Sequence, residues 1–333
     1  MKLLLLLLLP LSLASPPVIE INGPLPPVDE LMGALQSQGA LIFTGLGEEY
    51  SSALESLSRM APYCLEGRGL TVEMDDGSER LTVARDTVVR GRDNGPLAPF
   101  PDCVMKETEV VSDAFDRVDK VFSRMMRLQF GNKLDVVEEE SNVTKVWEEF
   151  DSKTHLHVYR RSNKVTTAPM ALPYHTDNGM YVLLTPSSIL PLRAINKKGE
   201  VSLLDSGSSS VILILGTGIT SWLMPDSGLY AAPHGLPALA TILSPAPRTV
   251  MARMRVAPPG SLPSSSTHST SSATFWTHFS APFETETGST LERLIRQKRH
   301  TEGDTSECSQ SWPHAWSDLL TSLHFNSIKY FKS

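Results

Sequence analysis

Leu172-Pro173-Tyr174-His175-Thr176-Asp177-Asn178-Gly179-Met180-Tyr181-Val182-Leu183-Leu184 is the stretch on which the reading of this chain turns. It joins two metal-capable side chains, His175 and Asp177, to an apolar run from Met180 to Leu184 that reads as a buried strand. Residues two apart on a strand point to the same face, so His175 and Asp177 can reach one ion from a strand end. Taken alone the pair is a weak signal, because most His-x-Asp pairs are surface residues. Its surroundings decide what it means.

From about residue 155 onward, short β-prone runs alternate with turn signals. The runs fall at 155–160, 180–185, 190–195, 201–204, 211–215, 220–224, 239–243 and 249–256. Gly199, Gly207, Gly216, Gly218 and Gly228 punctuate them, with Pro173, Pro186 and Pro225. Many short strands at this spacing predict a sandwich or barrel, and about eight is the number a jelly roll needs. His234 lies in the same β-rich block. Two neutral imidazoles and one carboxylate with open positions make the facial triad used by non-haem iron(II) oxygenases.

Upstream the texture is mixed. Residues 31–38 and 50–60 read as helices, and 40–44 is a short apolar run bounded by Gly39 and Gly45. Phe115, Val118, Val121, Phe122, Met125 and Leu128 mark one face of an amphipathic helix over 113–130. The expected fold class is mainly β with flanking helices. A mixed α/β region over 16–150, opening on a proline-rich lead-in, packs on a core at 151–257. Beyond it lie a Ser/Thr/Pro-rich loop at 258–289 and a helical tail at 290–333 containing Trp312 and Trp316.

Residues 1–15 read as a signal peptide: Lys2, leucine throughout 3–9, then Ser12-Leu13-Ala14-Ser15, with cleavage expected after Ala14. The leucine run is far short of the about 20 apolar residues a bilayer span needs, and no later stretch is long and apolar enough. The expected location is secreted or lumenal. Asn142-Val143-Thr144 is then a usable glycosylation sequon. The 3 cysteines exclude a disulfide-dense scaffold and a cysteine-based zinc site. In an oxidising compartment Cys64 and Cys103 are the expected pair, leaving Cys308 free. A hydrophobic fraction of 41% with 20% charged residues suits a globular chain. The net charge of −7 gives nucleic acid no electrostatic footprint. No serine sits in Gly-x-Ser-x-Gly, so a serine hydrolase lacks its nucleophile elbow.

Residues 172–184 resemble the metal strand of the isopenicillin-N-synthase-like branch of the iron(II)/2-oxoglutarate dioxygenases, where His-x-Asp precedes a small residue and a buried run. Residues 211–215, Gly216, Trp222, Ser227-Gly228 and Ala232-Pro233-His234 resemble that family's closing segment, and 190–204, with Gly199 at its turn, resembles the hairpin between. The match is good over 155–257 and weaker upstream, where 39–45 is similar to the family's N-terminal strand.

The resemblance implies a double-stranded β-helix, a jelly roll. It would hold Fe(II) on His175, Asp177 and His234, with 2-oxoglutarate chelating the metal and O2 as co-reactant. It also implies that Arg248 pairs with the far carboxylate of 2-oxoglutarate, which a planar guanidinium can engage bidentately, and that Tyr159 helps hold it. Two positions depart from the pattern: Val250 stands where serine is usual, and His157 where asparagine is common. Arg253 and Arg255 compete for the role of Arg248, although Arg253 falls on the opposite face of a regular strand. Trp222 is expected in the core, and His155, His268, His278, His300 and His314 on the surface. Two other classes fit the same fold: a secreted non-catalytic binding or interaction protein on a degenerate dioxygenase barrel, and a jelly-roll lectin or cupin-like module. The substrate, a small molecule or a peptide, is not specified by the sequence.

Overall fold

The computed structural model describes residues 15–264 apart from 69, 86–96, 139–140, 163–167, 188–190, 205–206, 208, 239–245 and 259. The leader before Ser15, the strand expected at 239–243, most of the 258–289 loop and the tail at 290–333 therefore lie outside the described residues.

The proline-rich lead-in contributes β1 (Val18–Glu20), which pairs in parallel with β2 (Ala40–Thr44). Between them α1 (Val28–Ser37) buries Leu31, Met32 and Leu35 at helical spacing. Next, α2 (Glu48–Cys64) opens on Glu48 and Glu49, whose charges favour the positive end of a helix. A hairpin follows, β3 (Leu70–Glu73) and β4 (Glu79–Ala84). The long α3 (Asp102–Phe130) begins well before residue 113, because Val104, Thr108 and Val111 extend the apolar stripe of Phe115, Val118 and Phe122. Cys64 and Cys103 are bridged, with Cα atoms 6.2 Å apart, tying the end of α2 to the start of α3.

Short strands β5 (Val136–Glu138) and β6 (Thr144–Lys145) precede the β-rich block. That block holds β7 (Asp151–Arg160), β8 (Met170–His175), β9 (Tyr181–Leu184), β10 (Leu192–Ile195) and β11 (Val201–Leu204). It ends with β12 (Val211–Leu215), β13 (His234–Pro237), β14 (Arg248–Val256) and β15 (Ser261–Pro263). Eight strands form one sheet in the order β1-β2-β12-β9-β14-β7-β4-β3, and four form a second in the order β11-β10-β13-β8. The N-terminal region thus supplies half of the large sheet, in addition to the helices that cover it.

Strand alternation explains why both faces of the large sheet are buried. On one face Leu41, Phe43, Leu156, Val158, Leu183, Leu213 and Met251 pack with the helices. On the other, Tyr159, Val182, Ile212, Ile214 and Ala252 meet Ala171, Ala194, Leu204 and Leu236 of the small sheet. Two sheets stacked this way, antiparallel except for the β1–β2 pair, make the double-stranded β-helix.

One expected strand is not one. Residues 220–223 belong to a π-helical turn spanning Gly218–Leu223, which Met224 caps. Ile219, Trp222 and Leu223 are buried there at helical rather than alternate spacing, an ambiguity that short apolar runs carry. Trp222 is in the core, 3% exposed.

Candidate metal centre

Two adjacent strands of the small sheet set the site. His175 ends β8 and His234 begins β13, and the two are register partners, so their rings project side by side with centroids 4.6 Å apart. This close pairing requires Gly235, where a Cβ would lie 2.7 Å from the Leu172 carbonyl oxygen. Each imidazole is turned by the backbone just before it. His175 Nδ1 lies 2.9 Å from the Pro173 carbonyl and His234 Nδ1 3.1 Å from that of Ala232. A carbonyl only accepts, so both Nδ1 atoms carry the proton and both Nε2 lone pairs are left for a ligand.

Asp177 completes the cluster from the turn after β8. Its carboxylate lies 3.4 Å from His234 Nε2 and 4.0 Å from His175 Nε2. Its backbone is clamped by a second turn: Thr217 donates to the Asp177 carbonyl through N–H (2.7 Å) and Oγ1 (3.1 Å), and Gly218 N–H donates to Gly179 O. A Cβ at residue 216 would stand 2.1 Å from the Gly179 oxygen, so only glycine allows the two turns to meet. The Gly216-Thr217-Gly218 sequence was the signal for this clamp, and reading it only as turn punctuation missed it.

One donor atom from each of the three side chains lies within 4.8 Å of the others. Burial drives the His175 pKa down to about 4, keeping that imidazole neutral at ordinary pH. Burial opposes the charged Asp177 carboxylate, but the charge and hydrogen bond of His234 outweigh it and hold the carboxyl below its usual range. Reciprocally, burial would lower His234, and Asp177 raises it instead. Two Nε2 lone pairs and one ionised carboxylate form a donor set suited to Fe(II). The His175 side chain keeps 30% of its surface, which gives the centre an approach from solvent.

The large sheet faces this centre with a polar row. Arg248 is the first residue of β14 and the register partner of Tyr159 on β7, its Cζ 5.2 Å from the ring centroid. Arg248 is only 4% exposed, and burial lowers its pKa to about 10, partly opposed by Tyr159. Both share the inner face with Ala252. Arg253 and Arg255 point the other way: Arg253 bonds to Asp116 and stacks on Phe115 of α3, while Arg255 donates to the carbonyls of Trp147 and Glu148. Their competition with Arg248 ends there.

Val250 sits beside His157 on the inner face and offers no hydroxyl; His157 Nδ1 instead meets Thr82 Oγ1 at 3.0 Å. His155 corrects the expectation of a surface group. It is half-buried, its Nε2 is buried without a hydrogen-bond partner, and burial pushes its pKa to about 4. The alternation of β7 hides it from sequence, because His155 and His157 share a face with Tyr159 while Leu156 and Val158 take the core. Of the remaining histidines, 268, 278, 300 and 314 lie outside the described residues. Asn142 is exposed at a turn with φ 54°.

Solved structures with this architecture include a putative oxygenase from Shewanella oneidensis (TM-score 0.53, 11% identity, 86% of this chain and 99% of that one). Another is the dioxygenase for auxin oxidation 1 from Arabidopsis thaliana in complex with 2-oxoglutarate (TM-score 0.51, 16% identity, 73% and 92%). A third is JOX2 in complex with 2OG, Fe and JA (TM-score 0.50, 14% identity, 74% and 77%). This chain has the dioxygenase fold. No protein-family model matches it, and no curated protein matches it in sequence. Within the dioxygenase fold, His175, Asp177 and His234 come from the two strands and the turn at one end of the small sheet, facing the row that carries Tyr159 and Arg248.

Proposed function

We propose that the protein is an iron(II)- and 2-oxoglutarate-dependent oxygenase that hydroxylates or otherwise oxidises a small-molecule or peptide substrate. One observation carries the reading: two register-paired imidazoles, each held at Nδ1 by a backbone carbonyl, converge with one ionised carboxylate. His175, Asp177 and His234 would hold the iron. When bound, iron and 2-oxoglutarate supply O2-driven oxidation of a C–H bond, with 2-oxoglutarate converted to succinate and carbon dioxide. The carbonyls of Pro173 and Ala232 keep both imidazoles in the ligating tautomer, and the Thr217 clamp fixes Asp177. Arg248 meets the far carboxylate of 2-oxoglutarate, and Tyr159 orients the guanidinium through its ring.

The route through the secretory pathway belongs to the same proposal. It is supported by the leader over 1–15, the bridged Cys64–Cys103 pair and the exposed Asn142 of the sequon. Among the described residues no helix is long and apolar enough to cross a membrane.

The deciding experiment is anaerobic titration of the purified, iron-loaded protein with 2-oxoglutarate, followed by a succinate assay in air. Saturable binding with 2-oxoglutarate turnover supports the oxygenase. Iron without cosubstrate binding overturns it in favour of a non-catalytic binding protein on the same fold, the reading to which Val250 points.

A further inference from the structure

Arg80 and Thr82 occupy the face of β4 opposite Leu81 and Val83, which pack into the helix-side core. The bond between Thr82 Oγ1 and His157 Nδ1 fixes that opposite face as the one shared with His155, His157 and Tyr159. Register sets Arg80 beside Tyr159, which is itself beside Arg248, so one row across three strands carries two guanidiniums. Two polar atoms on this face are buried with no hydrogen-bond partner, Arg80 Nε and His155 Nε2. Native proteins leave few such atoms unpaired, and an orphaned donor beside a binding centre is a place for a ligand acceptor.

Arg80 and Arg248 flank Tyr159 in that row, one from β4 and the other from β14. 2-Oxoglutarate has two carboxylates; one goes to the iron and the other to Arg248, leaving none for Arg80.

We infer that Arg80 receives the carboxylate of the molecule being oxidised, so that the substrate is a small organic acid. This rests on the oxygenase reading above. It is a specificity role, in which the guanidinium sets the acid in place and takes no part in bond making or breaking.

The test uses the full chain loaded anaerobically with Fe(II) and 2-oxoglutarate, whose charge-transfer band reports binding of a second molecule next to the metal. Hexanoate and phenylacetate are the probes, each paired with its neutral amide. In the wild type the acids shift the band and the amides do not. Arg80→Met binds iron and 2-oxoglutarate within threefold of wild type but loses acid binding tenfold or more, and Arg80→Lys recovers part of it with unchanged iron stoichiometry. Equal response to acids and amides, or to neither, overturns the inference. So does a tenfold loss of 2-oxoglutarate itself in Arg80→Met, which would make Arg80 a cosubstrate residue. Failure of the wild type to bind iron and 2-oxoglutarate removes the oxygenase reading and this role together; intact binding without acid discrimination removes this role alone.

Discussion

The two faces of β7 and β14 are built from alternate residues of the same strands, yet they do opposite work. Outward, Leu156, Val158 and Met251 pack under the helices, and the two outward arginines bond through their terminal nitrogens to Asp116 and to the Trp147 and Glu148 carbonyls. Inward, His155, His157, Tyr159 and Arg248 line the space opposite the metal centre, joined by Arg80 from the next strand. Arg253 and Arg255 hold the sheet to α3 and to the segment before β7. Arg248 and Arg80 lie on the inner face, either side of Tyr159. A guanidinium costs much to bury, and on the outer face carboxylates and carbonyls offset that cost.

The contrast can be broken most completely at the metal. His175→Ala should leave the protein without iron by metal analysis and without succinate formation, while the outer face keeps its melting temperature nearly unchanged. Arg248→Met should weaken 2-oxoglutarate by about 100-fold in the anaerobic titration, the loss of a charge-assisted pair worth roughly 3 kcal/mol, with no loss of stability. Arg255→Ala should do the reverse. Leaving the Trp147 and Glu148 carbonyls without their donor should cost about 2 kcal/mol in denaturant unfolding, with 2-oxoglutarate affinity within twofold of wild type. If Arg255→Ala weakens the cosubstrate and Arg248→Met does not, the division of labour between the faces is wrong. The smallest effect sharpens the comparison: Val250→Ser restores a hydroxyl beside Arg248 and should tighten 2-oxoglutarate about fivefold, near 1 kcal/mol.

Much of the fold was legible because alternation writes itself into composition. The run at 40–44 and those at 201–204 and 211–215 coincide with β2, β11 and β12, since each is apolar and bounded by turn residues. Residues 220–224 failed for the converse reason: an apolar pentad carries no period of its own. The participation of β1, β3 and β4 in the large sheet was not legible, because pairing over long sequence distances leaves no local mark.

The sequence by itself determined the metal-capable trio of His175, Asp177 and His234 and the lack of a hydroxyl at Val250, because these are matters of residue type and order. Only the tertiary structure decided that His234 stands register-paired with His175, which protein groups Arg253 and Arg255 meet, and that Arg80 and His155 look inward. Strand pairing and the stacking of two sheets fix which face of each strand meets which neighbour, and one-dimensional order does not contain that relation.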